Sequence, residues 1–306
     1  MPKITKKNII VPLDVSSQAR DEYIKNYLEI TQNTGNLMLF AGDQKIEHQN
    51  GDFVGKNIAA DDADPEHLFK IAKLGKIGVF AAQLGLIARY GMNYKTVPFL
   101  VKMNSRSNLV KTKQAEPYSG LLTTVDEVME VKNQHKLKIL ALGYTLYLGS
   151  EYEALMLREA QYCVEQAHKN GLLAVLWIYP RGKAVKDELD PHIIAGAAGT
   201  ACSLNADFVK VNYPQGKGLK SAEIFKEAIK AAGRTKVICS GGPSVDVKLF
   251  LQTLHDQIHI SGAHGNATGR NIHQKNLKEA VKMCEAISAI TLKNKTVEQA
   301  LKLLKK

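Results

Sequence analysis

Cysteine is scarce and scattered. Cys163, Cys202, Cys239 and Cys284 lie far apart and form no C-x-x-C pair, which excludes a disulfide framework and a structural zinc motif and points to a reducing compartment, the cytoplasm. Nowhere do about 18 apolar residues run consecutively, so no membrane-spanning helix is expected. The apolar run Ile9 to Val11, behind Lys3, Lys6 and Lys7, is cut by Pro12 and is too short for a signal-peptide core. No linker rich in Pro, Gly or Ser divides the chain and no internal repeat occurs, which predicts one domain over residues 1–306 with residues 1–36 as an N-terminal extension. Glu47 and His48 could be metal ligands, but a lone Glu-His pair reads better as a helix-start hydrogen-bonding pair, no second short-spaced His/Asp/Glu motif occurs, and no cofactor is expected. Basic helices interleaved with aromatics are also missing. The lysines cluster only near the two ends, so the net charge of +11 reads as a solvated face and attraction for a small anionic substrate, with neither nucleic acid nor a membrane as partner.

What is present is ordinary globular composition, 45% apolar and 23% charged, enough for a sizeable core. Eight short apolar runs alternate with amphipathic stretches: Leu37–Asp43, Lys76–Gln83, Pro98–Asn104, Ile139–Gly149, Leu172–Gly182, Asp207–Pro214, Lys236–Pro243 and Ile258–Arg270. Alternation of this kind marks a parallel sheet with helical crossovers. A doubly wound sheet shares it, but eight similar units favour an α/β fold closed as a (β/α)8 TIM barrel, with residues 1–36 plugging its bottom. Helices are predicted over Glu151–Asn170, Pro191–Leu204, Ala222–Ala232, Asp246–His255 and Gln274–Ile290. The polar, aperiodic Ser105–Thr123 is long for a connection and reads as a lid or a surface loop.

In a barrel the chemistry sits at the C-terminal ends of the strands. Run six places Lys210 between two valines, where an unpaired ammonium is costly. Such a lysine is either salt-bridged or kept neutral for attack on a carbonyl. Lys102 in run three is a second inward candidate, and spacing alone does not choose between them. Alternation sends Trp177, Tyr179 and Arg181 to one side of run five, where a tyrosine can relay protons and an arginine can bind an anion. Asp43 closes run one and can pair with Lys210 or position a substrate hydroxyl. Ser240, Gly241 and Gly242 after run seven, with Gly269 and Arg270 after run eight, occupy the place where many barrels bind phosphate.

Together these stretches resemble the archaeal-type class I fructose-1,6-bisphosphate aldolases. The resemblance spans about Leu37 to Gln274 and is carried by Asp43 with Ile46-Glu47-His48, by Tyr144–Ser150, Trp177–Gly182, Val209-Lys210, Ser240-Gly241-Gly242 and Gly269-Arg270-Asn271. It implies a lyase whose Schiff-base lysine is Lys210, with Tyr179 as general acid/base and Asp43 as a positioning carboxylate. Trp177 and Arg181 would line the substrate, and Ser240, Gly241, Gly242, Gly269 and Arg270 would hold a phosphate of the sugar. It further implies a metal-free reaction and a homo-oligomer. Two departures from the family pattern stand out: Gln44-Lys45 where His-Gly is common, and His273 where an aromatic is common. An aldolase or transaldolase-like synthase with another aldehyde acceptor, and a non-catalytic phosphosugar-binding barrel, are the rival functions.

Overall fold

The computed structural model describes residues 3–48, 50–109, 116–216 and 218–305. Eight parallel strands close into a barrel: β1 (Leu37–Ala41), β2 (Val79–Ala82), β3 (Phe99–Lys102), β4 (Ile139–Leu148), β5 (Leu173–Pro180), β6 (Phe208–Val211), β7 (Lys236–Ser240) and β8 (Gly265–Thr268), with β8 pairing back onto β1. Each neighbouring pair is parallel because a helical crossover returns the chain to the same end.

The two-residue period of the strands splits the buried side chains into two sets. Met38, Phe40, Phe80, Phe99 and Val209 point outward against the helices. Leu39, Ala81, Leu100, Val175, Phe208, Ile238 and Ala267 point inward and fill the barrel. Each fully buried aliphatic or aromatic side chain contributes about 1.5–3 kcal/mol relative to exposure.

The helices run Glu153–Lys169, Pro191–Ser203, Val247–His259 and Leu277–Lys293, close to expectation, while the segment after β6 breaks into Ser221–Ile224 and Lys226–Ala231. Asp190 caps one helix by accepting from the His192 and Ile193 amides, with Pro191 supplying a preset first turn.

The eighth run needs correction. Ile258–His259 belongs to the preceding helix, whose buried Leu251, Leu254 and Ile258 keep the helical spacing, and the strand is the short, Gly-rich Gly265–Thr268. A C-terminal helix, Val297–Leu304, was not anticipated; Thr296 and Gln299 cap it reciprocally.

Residues 3–36 close the barrel bottom. Val11, Val15, Tyr23, Ile24 and Ile30 join the inward-facing cluster, and the helix Arg20–Ile30 is tied down by Asn26, which donates to the Gly171 carbonyl at 2.8 Å. At the ends of the Ser105–Thr123 segment, Asn104–Ser105 pairs antiparallel with Gly120–Leu121. Residues 110–115 of that segment lie outside the described residues.

Candidate active site

At the C-terminal mouth of the barrel, strand register brings the candidate residues together. Lys210 lies opposite Trp177, and Trp177 opposite Thr145, across β6, β5 and β4. Two residues further on, Tyr179 pairs with Tyr147. Gly143 makes room for this layer, because a Cβ there would collide with the Trp177 ring.

Both inward lysines touch the same indole: the Lys102 and Lys210 ammonium groups each lie 5.4 Å from the Trp177 ring centroid. Their surroundings differ. Lys102 is fully buried but compensated, 3.4 Å from Glu47 Oε1 and donating to the Asn104 carbonyl at 3.0 Å and to Asn104 Oδ1 at 3.3 Å. Asn104 is itself fixed, accepting the Thr145 amide at 2.7 Å and donating to the Ser119 and Thr145 carbonyls. Lys210 is 6% exposed, and among the described residues its amine forms neither an ion pair nor a hydrogen bond. Burial lowers its proton affinity, helped by the charges of Lys102 and Arg270, while Asp43 and Glu47 oppose the shift. The alternative left open by spacing, a lysine held by a carboxylate, thus describes Lys102.

Asp43 sits at the start of the short helix Gln44–Glu47, yet its carboxylate does not cap that helix. Its Oδ1 is buried with no hydrogen-bond partner among the described residues. Burial and repulsion from Glu47 raise its proton affinity, against the pull of Lys210 and Lys102. The expected Asp43–Lys210 pairing is therefore electrostatic rather than a contact ion pair. Tyr179 is pushed well above the ordinary tyrosine range by burial and by Glu47 and Asp43, which keeps its hydroxyl protonated.

Glu47 reaches all of these groups electrostatically, and its role was missed. The residue was visible in the strand-one motif, but only the fold shows that one turn of helix carries its carboxylate back over β3. The metal reading of Glu47-His48 fits poorly with their partners, since Glu47 pairs with Lys102 and His48 bonds to Asp52.

The arginine after β5 is less free than expected. Arg181 forms a bidentate pair with Glu188, 3.0 and 2.9 Å, and stacks near Tyr147 and Tyr179.

The turn expected to bind phosphate also departs from expectation in one respect. Gly241 donates its amide to the Ala267 carbonyl at 2.9 Å, so that N–H is committed to the barrel. Gly242 does have the backbone freedom a cradle requires, with φ +64° and open space where a Cβ would project. Ser240 donates to Asn212 Oδ1 at 3.0 Å. Asn271, quoted in the sequence motif but given no role, clamps this turn. It donates to the Gly241 and Pro243 carbonyls at 3.1 and 2.9 Å and accepts from the Val245 amide at 3.2 Å. Arg270 stands at the start of the helix Arg270–His273, 3.4 Å from Asp52, with a buried Nε that has no partner among the described residues.

The two departures from the family pattern meet in space. His273 stacks on Phe53 with ring centroids 4.9 Å apart, bonds to Asp62 at 2.7 Å and lies 3.3 Å from Gln44 Oε1. Lys45 covers the same Phe53 ring at 3.9 Å. Gln44 lies across Gly269, where any Cβ would strike it.

Comparison with known proteins bears on the family and the fold. The DeoC/LacD family aldolase profile matches residues 37–275. The chain is 59% identical to the fructose-bisphosphate aldolase/6-deoxy-5-ketofructose 1-phosphate synthase of Methanocaldococcus jannaschii, over 98% of this chain and 96% of that protein. Among solved structures, a fructose-bisphosphate aldolase from Slackia heliotrinireducens superposes with TM-score 0.96 at 58% identity, covering 99% of this chain and 96% of that one. An archaeal fructose-1,6-bisphosphate aldolase with its catalytic lysine bound to a carbinolamine intermediate superposes with TM-score 0.75 at 30% identity, covering 88% and 98%. A closed parallel barrel and a match of this extent place the chain in the DeoC/LacD aldolases and, among them, with the archaeal-type class I fructose-bisphosphate aldolases.

Proposed function

We propose that the chain cleaves fructose 1,6-bisphosphate to dihydroxyacetone phosphate and glyceraldehyde 3-phosphate, and catalyses the reverse, through a Schiff base on Lys210. The observation that carries this reading is the contrast between the two lysines on Trp177: Lys102 is neutralised by Glu47, whereas Lys210 is buried and unpaired among the described residues. A neutral amine has the lone pair needed to attack a ketone. Lys210 Nζ adds to C2, water leaves, and the resulting iminium draws electrons as the C3–C4 bond breaks.

Tyr179 takes the proton of the C4 hydroxyl. In the free enzyme burial and negative neighbours hold its own proton. Tyr179 gives that proton to the C2 hydroxyl as water leaves, and the cationic iminium stabilises the resulting phenolate, which is then the base for the C4 hydroxyl. As glyceraldehyde 3-phosphate leaves, the C3 carbanion is held as an enamine. Tyr179 returns the proton there, and hydrolysis releases dihydroxyacetone phosphate. Asp43 orients a substrate hydroxyl, and Gly242 and Arg270 receive one phosphate.

The enamine can also meet a different aldehyde. The printed name of the Methanocaldococcus jannaschii relative includes a synthase of 6-deoxy-5-ketofructose 1-phosphate, and we include such a transfer among the reactions this site supports. A cytoplasmic location agrees with four free cysteines, and no described helix is long and apolar enough to cross a membrane. Assembly as a homo-oligomer belongs to the same reading.

The test is a substrate panel in which the purified protein meets fructose 1,6-bisphosphate, fructose 1-phosphate and fructose 6-phosphate, with both trioses detected by coupled assays. Fructose 1,6-bisphosphate should have the highest kcat/KM. Cleavage of another phosphosugar with no activity on fructose 1,6-bisphosphate would overturn the substrate assignment.

A further inference from the structure

We propose that Arg106 recognises the phosphate on the aldehyde half of the substrate and thereby sets the preference for phosphorylated over unphosphorylated aldehydes. The inference rests on the covalent reading of Lys210 and Tyr179 above. With one phosphate at the β7–β8 turn, C2 at Lys210 on β6 and the C4 hydroxyl at Tyr179 on β5, the substrate follows strand order around the mouth. Its far end then falls beside the end of β4, where Tyr147 lies in register with Tyr179.

Two guanidinium groups cover the Tyr147 ring there, Arg106 at 5.7 Å and Arg181 at 5.6 Å. Only one is neutralised. Arg181 is bidentate to Glu188. Arg106 has a neutral partner, Asn108 Oδ1, which it reaches through Nε at 3.1 Å and Nη2 at 2.8 Å, and no carboxylate pairs with it among the described residues.

That arrangement fixes the plane of Arg106. Asn108 is itself anchored, donating to the Glu47 carbonyl at 2.8 Å, and the Glu47 carboxylate is occupied by Lys102. A half-buried guanidinium held in one plane, with its charge uncompensated, matches a phosphate group in charge and in geometry. An aldehyde without a phosphate makes no use of it. The same barrel therefore accepts both kinds of aldehyde, and Arg106 biases the choice.

The test compares wild type, Arg106→Gln and Arg106→Lys on fructose 1,6-bisphosphate and on fructose 1-phosphate, with borohydride trapping by dihydroxyacetone phosphate run in parallel. Loss of a charge-assisted phosphate contact should lower kcat/KM of Arg106→Gln for fructose 1,6-bisphosphate by roughly ten- to a hundredfold, and for fructose 1-phosphate by no more than roughly threefold. Arg106→Lys should lose less, and only on the bisphosphate. Equal losses on both substrates with trapping intact would overturn the proposal while leaving the covalent mechanism standing. If the glutamine variant does not fold, an equal loss in Arg106→Lys decides the matter the same way. Absence of trapping in the wild type would instead overturn the covalent reading, and this proposal with it.

Discussion

At the bottom of the barrel, opposite the mouth, His168 sits fully buried between two carboxylates. Its Nδ1 is 2.9 Å from both Asp14 oxygens and its Nε2 is 3.1 Å from Asp207 Oδ2. Asp207 also accepts the Tyr23 hydroxyl and the Ala174 amide, and Asp14 accepts Asn205. The cluster joins the N-terminal segment to the helix Glu153–Lys169 and to the start of β6. Burial works to lower the proton affinity of the imidazole, but Asp207 and Asp14 outweigh it, lifting the pKa from 6.5 to about 9. A folded pKa above the unfolded one means that the charged ring stabilises the fold fully below pH 6.5, and that this stabilisation is lost as pH rises through about 9. At about 1.4 kcal/mol per unit, the loss is on the order of 3 kcal/mol. Urea unfolding of the wild type and of His168→Gln, run between about pH 6 and pH 10, measures it as a difference of two profiles. The wild-type advantage should shrink toward the alkaline end. Parallel profiles would refute the claim that a charged His168 fastens the N-terminal segment.

Further outcomes follow from the mouth of the barrel. Tyr179→Phe should keep the ring packing and the Schiff base while lowering the cleavage rate by about 10² to 10⁴-fold; a near-normal rate would make Tyr179 merely structural. Arg270→Ala should lower kcat/KM for phosphorylated substrates by roughly ten- to a hundredfold, less so when the phosphate near the β7–β8 turn is missing, at about 1.4 kcal/mol per decade; a uniform loss on fructose 1,6-bisphosphate and both monophosphates would remove Arg270 from phosphate binding. Prolonged EDTA treatment should leave activity intact, because the iminium itself is the electron sink; activity lost to EDTA and restored by zinc would contradict that chemistry.

Much of this fold is legible in the sequence because its inner strands are apolar on both faces. Runs such as Phe99–Lys102 and Leu173–Pro180 advertise themselves wherever a barrel wall is sandwiched between core and helices. β8 does not, since Gly265–Thr268 carries glycine and polar residues whose hydrogen bonds, Asn266 to Thr291 and Thr268 to Asn266, replace apolar packing. An observer of the sequence therefore extends the strand back into Ile258, which is helical. The site shows the same division. Lys210, Tyr179 and Asp43 are odd residues at strand ends and announce themselves, while Glu47 and Asn271 make contacts with segments distant in sequence, Lys102 on β3 and the turn after β7. His168 and Asp14, 154 positions apart, have no local signal at all. Gln44 and His273 are separate oddities in the sequence and one contact in the fold, because β1 and β8 are neighbours only when the barrel closes.

The most direct test of the account is the identity of the trapped lysine. Sodium borohydride added with dihydroxyacetone phosphate should inactivate the protein and attach one reduced triose phosphate per chain, and peptide mass mapping should find it on the peptide containing Lys210. Lys102, compensated by Glu47 and Asn104, should carry none. Label on Lys102, or no label on either lysine while fructose 1,6-bisphosphate is still cleaved, would contradict the account.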